Sequence, residues 1–192
     1  MELRETIEKR VSTREYSIEN IDRKVIEDLI DCARLAPSAA NRQPWHFVIL
    51  EKESKEKVAN ILLKKYKEEK EISDNTKPTD EYSPSKSLIN SIRIISEAPV
   101  LILVFRDKKP EWLEGDYLSI GCAVEHICLR ATDLGLGTLW IRDVIYMREE
   151  IAKFLKRKDQ ELVTGITVGY STEYPYERKK KSLSDIMEWY NG

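Results

Sequence analysis

The chain has 192 residues, 41% of them hydrophobic and 34% charged, with 32 basic against 34 acidic side chains and a formal net charge of −2. That length suits a single domain over residues 1–192 with a sizeable core, and the composition excludes a disordered chain. The near balance of charge excludes a global field favouring nucleic acid or an anionic membrane, and the longest apolar run, Pro99 to Phe105, is far too short to span a bilayer.

Residues 2–10 read as a short helix ending in Lys9-Arg10. Asp22 can cap a second helix through about residue 35, where Val25, Ile26, Leu29, Ile30 and Ala33 follow helical spacing. Residues 37–45, Pro-Ser-Ala-Ala-Asn-Arg-Gln-Pro-Trp, then form a loop stiffened at both ends by proline. It can present backbone N–H groups, a hydroxyl and two side-chain amides to a flat polar ligand, or it can simply close a turn through local bonds. Trp45 to Leu50 reads as a strand, and Ser54 as the cap of a third helix reaching about Tyr66. Residues 67–87 are charged and turn-rich, which predicts a surface excursion or a lid over a substrate pocket. A short helix over Ser85 to Ser96 follows.

Pro99 to Phe105 has the continuous apolar character of a central strand covered on both faces. Residues 112–134 make the longest helical pattern, about 35 Å at 1.5 Å per residue. Tyr117, Ile120, Gly121, Val124, Ile127, Cys128 and Ala131 form one apolar stripe, and Leu118, Cys122 and Leu129 add apolar surface off it. A helix apolar on several sides belongs in the middle of a fold or at a subunit interface. Gly135 and Gly137 stop it, and Thr138 to Ile141 is a short strand. Residues 147–156 are helical, Leu162 to Tyr170 is the last clear strand, and a basic run, Arg178 to Lys181, precedes a short helix from about Ser184. The loose alternation predicts an α+β or mixed α/β domain.

Three cysteines, Cys32, Cys122 and Cys128, give an odd count without a C-x-x-C, so neither a disulfide framework nor a zinc site is expected. Met1 to Glu5 carries no apolar signal core, and a cytoplasmic protein is expected. The two histidines, His46 and His126, have no ligand-spaced Cys or carboxylate beside them. Nucleophile-elbow, zincin, Walker and dinucleotide fingerprints are missing. Any catalysis would therefore be carried by a bound cofactor, with no catalytic side chain and no metal. Arg10-Val11-Ser12-Thr13-Arg14 is the first positive signal. In an extended segment Arg10, Ser12 and Arg14 point the same way and can cradle a phosphate, although a solvated helix end with a capping serine looks alike.

Taken together, the Arg-x-Ser-x-Arg near residue 10, the Ala-Pro-Ser-x-x-Asn-x-Gln-Pro-Trp ending at Trp45, Ala98-Pro99-Val100 opening a buried strand, Leu134-Gly135-Leu136-Gly137-Thr138 followed by Trp140-Ile141, and Val168-Gly169-Tyr170 before a basic tail resemble the FMN-dependent nitroreductase family. The likeness covers nearly the whole chain except 67–87. It implies a central, mostly antiparallel sheet flanked by helices, and a homodimer with two FMN sites at its interface. It also makes 112–134 the interface helix. Arg10, Ser12 and Arg14 would hold the FMN phosphate and ribityl chain. Pro37, Ser38, Ala39 and Asn41 of the other subunit would line the isoalloxazine, with Gln43 supporting that loop. The main chain at Ile141 and Arg142 would lie near flavin N5, and Lys180, with Lys179 and Lys181 beside it, would complete the phosphate site. NADH or NADPH would supply a hydride, and a nitroaromatic, quinone or related acceptor would take the electrons in turn.

Departures from the pattern are Arg142 where a small residue is frequent, lysines in place of arginine in the tail, and Ala39 in place of serine. The resemblance also admits a specialised relative, such as a reductive dehalogenase, an enzyme that destroys its own reduced flavin or an azoline dehydrogenase. In another class it admits a non-catalytic flavin-binding sensor.

Overall fold

The computed structural model describes residues 1–73, 84–173, 176 and 178–190. In chain order the elements are α1 (Leu3–Lys9), α2 (Arg23–Arg34), β1 (Trp45–Glu51), α3 (Lys52–Ser73), α4 (Pro84–Glu97), β2 (Val100–Asp107), α5 (Leu113–Asp133), β3 (Gly137–Ile141), α6 (Arg148–Phe154) and β4 (Gln160–Gly169). The four strands form one antiparallel sheet in the order β1-β2-β4-β3, so the α+β class read from the sequence holds.

β2 explains how the layers are built. All of its residues from Val100 to Arg106 are buried, and successive side chains alternate between faces. Val100, Ile102 and Val104 join Ile26, Leu29, Ile120, Val124 and Ile127, beneath α2 and α5. Leu101, Leu103 and Phe105 join Val58, Leu62, Leu88, Ile95 and Ile151, beneath α3, α4 and α6. The apolar run thus serves two cores at once. At about 25 cal/mol per Å², burying each such large side chain stabilises the fold by roughly 1.5–3 kcal/mol.

Several boundaries differ from the sequence reading. Asp22 caps α2 as expected, accepting from Lys24 N at 2.8 Å. Ser54 does not begin α3. Its hydroxyl instead bonds both the N–H and the carbonyl of Glu51, and Lys52 turns the chain with φ of +48°. α3 also continues past Tyr66 to Ser73, because residues 67–73 are rich in Lys and Glu and lack Gly and Pro. The predicted excursion is shortened accordingly, and its part over 74–83 lies outside the described residues. The tail helix near Ser184 is a single 3-10 turn, Leu183–Asp185, with Ser182 and Asp185 closing a capping box.

Two features place the site. Ser12 bridges Thr138 in parallel, so residues 10–14 lie as an extra edge beside β3. Gly137 permits this approach, since a Cβ there would collide with the Thr13 side chain. At the other end of the sheet, Trp45 lies opposite Arg106, so the loop 37–44 enters beside the end of β2.

Candidate functional site

The segment after α1 is held straight by main-chain bonding. Thr13 N donates to Thr138 O at 2.9 Å, and the Tyr16 hydroxyl donates to Thr13 O at 3.0 Å. Extended backbone throws Arg10 and Ser12 to one side. There they line a cavity of about 400 Å³ with Ile7, Glu125, Cys128, Trp140, Arg178 and Lys180. Arg10 Nε stands 3.9 Å from the Glu125 carboxylate, so the cavity is cationic with one acidic wall. Burial pushes the Cys128 thiol up to about 11, with a bond to Thr138 opposing, so this cysteine contributes an uncharged wall.

Of the predicted tail residues, Lys180 reaches this cavity, whereas Lys179 and Lys181 are exposed and do not line it. Arg178 shares the cavity with Lys180; the sequence places it in the basic run but not among the expected phosphate contacts. The signal for it is its place in the same basic run, two residues from Lys180.

Arg14 corrects the expectation that all three members of the cradle face one way. Its guanidinium turns to Ser12 O at 3.2 Å and the Tyr176 hydroxyl at 3.1 Å, and it lines a neighbouring cavity of about 460 Å³. Trp140 borders both cavities. The second is walled by Ser87, Asn90, Ser91 and Arg93 of α4 and by Leu139 through Asp143, the end of β3 and the two residues after it. Both Ser87 and Ser91 donate to Asp143 Oδ2 at 2.8 Å, which ties α4 to the chain leaving β3. Thr164 Oγ1 accepts from Trp140 Nε1 at 2.6 Å and donates to Ile141 O at 3.2 Å, which fixes the end of β3. Arg142 is exposed, and its guanidinium lies over the Tyr146 ring at 5.5 Å and donates to the Tyr146 hydroxyl at 2.6 Å. The α4 contribution was not foreseen. Its polar stripe, Ser87, Asn90 and Ser91 at three- and four-residue spacing, lay partly in the stretch taken for an excursion.

Loop 37–43 lines neither cavity. Ala39–Asn41 is a 3-10 turn lying on the start of α5, where Ala39 N donates to Ser119 Oγ at 3.1 Å. Ser38 Oγ accepts from Gln43 N at 3.0 Å and closes the loop, with Gln43 Nε2 3.4 Å from Asn41 Oδ1. Ala40, Asn41 and Gln43 have φ of +50°, +53° and +49°, each costing on the order of 1 kcal/mol and least for the asparagine. Pro37, Ala40, Asn41 and Gln43 are exposed, while Ser38 and Ala39 are half-buried. Trp45 is buried in the core beneath α2 and α5. The loop sits against Ser119, whereas the cationic cavity meets α5 at Glu125 and Cys128, which places the cavity about 14 Å further along the helix at Cys128.

Among the described residues no group of three His, Cys, Asp or Glu is arranged to hold a metal ion, and no helix is long and apolar enough to cross a membrane.

Comparison with known proteins shows which family the chain belongs to. A protein of Archaeoglobus fulgidus named "Putative NADH dehydrogenase/NAD(P)H nitroreductase" is 31% identical over 184 residues, covering 95% of this chain and 89% of its own. Iodotyrosine deiodinase 1 of Mus musculus is 28% identical over 202 residues, covering 97% of this chain and 68% of its own. The structure of the FMN-dependent nitroreductase NfnB of Mycobacterium smegmatis in complex with NADPH superimposes with a TM-score of 0.82, at 16% identity, over 98% of this chain and 97% of that one. The model of the Nitroreductase family matches residues 7–170, from the end of α1 to the residue after β4, and the chain belongs to that family.

Proposed function

We propose that the protein is an FMN-dependent oxidoreductase that oxidises NADH or NADPH and reduces a nitroaromatic, quinone or related electron-poor acceptor, acting as a cytoplasmic homodimer. The observation that carries this reading is the pair of neighbouring cavities that both border Trp140, one of them cationic. Arg10, Arg178, Lys180 and the Ser12 hydroxyl suit a phosphate dianion, which takes charge-assisted bonds from guanidinium and ammonium groups. Arg14, Arg93 and Arg142 border the second cavity and favour a ligand edge that carries negative charge. When bound, FMN would supply hydride and electron transfer at its N5 position. The chain's own work is then binding and orientation. The cationic cavity anchors one end, and Trp140 and the Ile141–Arg142 main chain form a wall. Asp143, through Ser87 and Ser91, sets α4 at a fixed distance from that wall.

The two-copy arrangement is supported by what a single chain leaves uncovered. Leu118 is 74% exposed and Cys122 is exposed on one side of α5, while Trp189 and Tyr190 in the tail are 80% and 90% exposed. Apolar surface of this kind marks an interaction surface. A second copy would also bring loop 37–43 to a site that its own chain does not let it reach.

The test is the visible absorbance of the purified protein. Flavin bands should be present or appear on adding FMN, and a protein that takes up none would sink the proposal. Steady-state NAD(P)H oxidation with a nitroaromatic or quinone should then show turnover; slow turnover with every acceptor would favour a sensor. Similarity to the mouse deiodinase favours one second reading, reductive dehalogenation. Halide release from an iodinated phenol, with no nitro or quinone reduction, would decide for it.

A further inference from the structure

Loop 37–43 holds three left-handed non-glycine residues within four positions, so something must hold it in that shape. The hydrogen bonds from Ala39 N and Gln43 N act at its two ends. Between them stands Arg42, half-buried, whose Nε lies 3.3 Å from Asp116 Oδ1 and whose guanidinium stacks over the Trp112 ring at 4.6 Å. Asp116 is fully buried, and its other oxygen lies 3.4 Å from Arg106 Nη1. Arg106 is also buried and is held by Glu161 at 2.7 Å, which in turn takes bonds from Tyr117 and Arg148 at 2.7 Å each. One buried carboxylate therefore ties the loop to β2, and through β2 to β4.

Such an arrangement is costly. Buried ion pairs are often no more stable than apolar packing of the same volume. Arg106 Nε, moreover, has no hydrogen-bond partner among the described residues. What the charges supply that apolar packing does not is direction. The position of Arg42 is fixed from two sides, and the backbone on either side of it is fixed with it.

We propose that Asp116, with Arg42 and Arg106, is a positioning unit that sets the geometry of loop 37–43 where it meets the flavin ring, a role that rests on the flavin reading above. None of the three lines the cationic cavity. Their loss should disturb the ring's surroundings and turnover while leaving phosphate anchoring in place.

The experiment compares Arg42→Gln, Arg42→Lys and Asp116→Asn with the wild-type protein. Arg42→Gln is the decisive variant, because Asp116 keeps Arg106 as its partner and the fold is spared. Visible circular dichroism of bound FMN, kcat, and FMN affinity are measured, together with amide hydrogen exchange of residues 38–43 without cofactor. Arg42→Gln should alter the dichroism, raise exchange in the loop and lower kcat about tenfold or more, with FMN affinity changed by less than about threefold. Arg42→Lys, which keeps a charge opposite Asp116, should recover most of the loss, whereas a role in packing alone would treat the two variants alike. Unchanged dichroism, kcat and loop exchange in Arg42→Gln would overturn the proposal, as would an equal loss in Arg42→Lys. A wild-type protein that takes up no FMN would overturn the flavin reading instead. Loop exchange in the variants then decides the positioning claim alone: raised exchange supports it and unchanged exchange overturns it.

Discussion

Arg10 to Arg14 lies extended along β3, its backbone bonded to Thr138 and its side chains sent to two neighbouring cavities of the same chain. Loop 37–43 has no strand to lie on. It is bent through three left-handed residues, leans on the start of α5 and is pinned by a buried ion pair, and its polar groups border neither cavity. The first segment is shaped by the sheet and faces cavities of its own chain. The second is shaped by charge and offers itself outward. A site assembled from both kinds would place anchoring in one chain and ring contacts in the other.

The contrast predicts different failures on substitution. Asp116→Asn should have the largest effect, because it leaves Arg42 and the buried Arg106 facing an uncharged group. Breaking one partner of a buried pair costs about 3–5 kcal/mol, and Glu161, still 2.7 Å from Arg106, holds the loss near the lower figure. Urea denaturation measures it, and a change under 1 kcal/mol would mean the pair is solvated. Arg10→Ala should leave folding intact and weaken FMN by about 10- to 100-fold, the range for a lost hydrogen bond to a charged group. A fluorescence titration giving unchanged affinity would remove Arg10 from the phosphate site.

Next in size is Leu118→Lys. On an isolated chain this 74% exposed position should tolerate the change within about 0.5 kcal/mol. In a homodimer packed along α5 it buries a charge in an apolar contact and should shift sedimentation toward monomer at micromolar protein. A dimer of unaltered strength would move the interface elsewhere.

Acid should act on the network and spare the strand-bound segment. Burial opposes ionisation of Glu161, but bonds from Tyr117 and Arg106 and the charges of Arg106 and Arg148 outweigh it and hold its carboxyl below the ordinary 4.5. A carboxyl depressed in the folded state stabilises fully above that value, and the contribution is lost as pH falls through the lower, folded one. Tm should therefore decline below about pH 4.5, and Glu161→Gln should lower Tm at neutral pH and flatten the decline. Parallel curves for the two proteins would refute the assignment.

How far the sequence disclosed this follows from the kind of force at each place. β2, α2 and most of α5 were legible, because apolar periodicity reports burial directly, and Ile120, Val124, Ile127, Cys128 and Ala131 are all in the core. Tyr117, assigned to the same stripe, instead points its hydroxyl to Glu161. The cradle was legible as residue types but not as directions, since nothing in Arg-x-Ser-x-Arg says that Arg14 will turn toward Tyr176. The Asp116 network was invisible, because its members lie at 42, 106, 116 and 161 and only the fold brings them together. Nor does any local pattern predict left-handed φ at Ala40 and Gln43, residues with no preference for it.

The smallest expected effect tests the tail, whose cavity-lining residues lie on no helix or strand. Arg178 and Lys180 line the cavity whereas Lys179 and Lys181 do not, although the four adjacent cations look interchangeable in the sequence. An ammonium is a point charge on a flexible stem, so an exposed Lys180 should contribute less than half-buried Arg178, whose planar fork can take two oxygens at once. Lys180→Ala should weaken FMN a few-fold, with the loss shrinking at high salt, and Lys179→Ala should leave affinity unchanged. Equal losses for both would mean that the tail acts through its summed charge. The alternation would then carry no information, and the cavity would owe its selectivity to Arg10 and Ser12 alone.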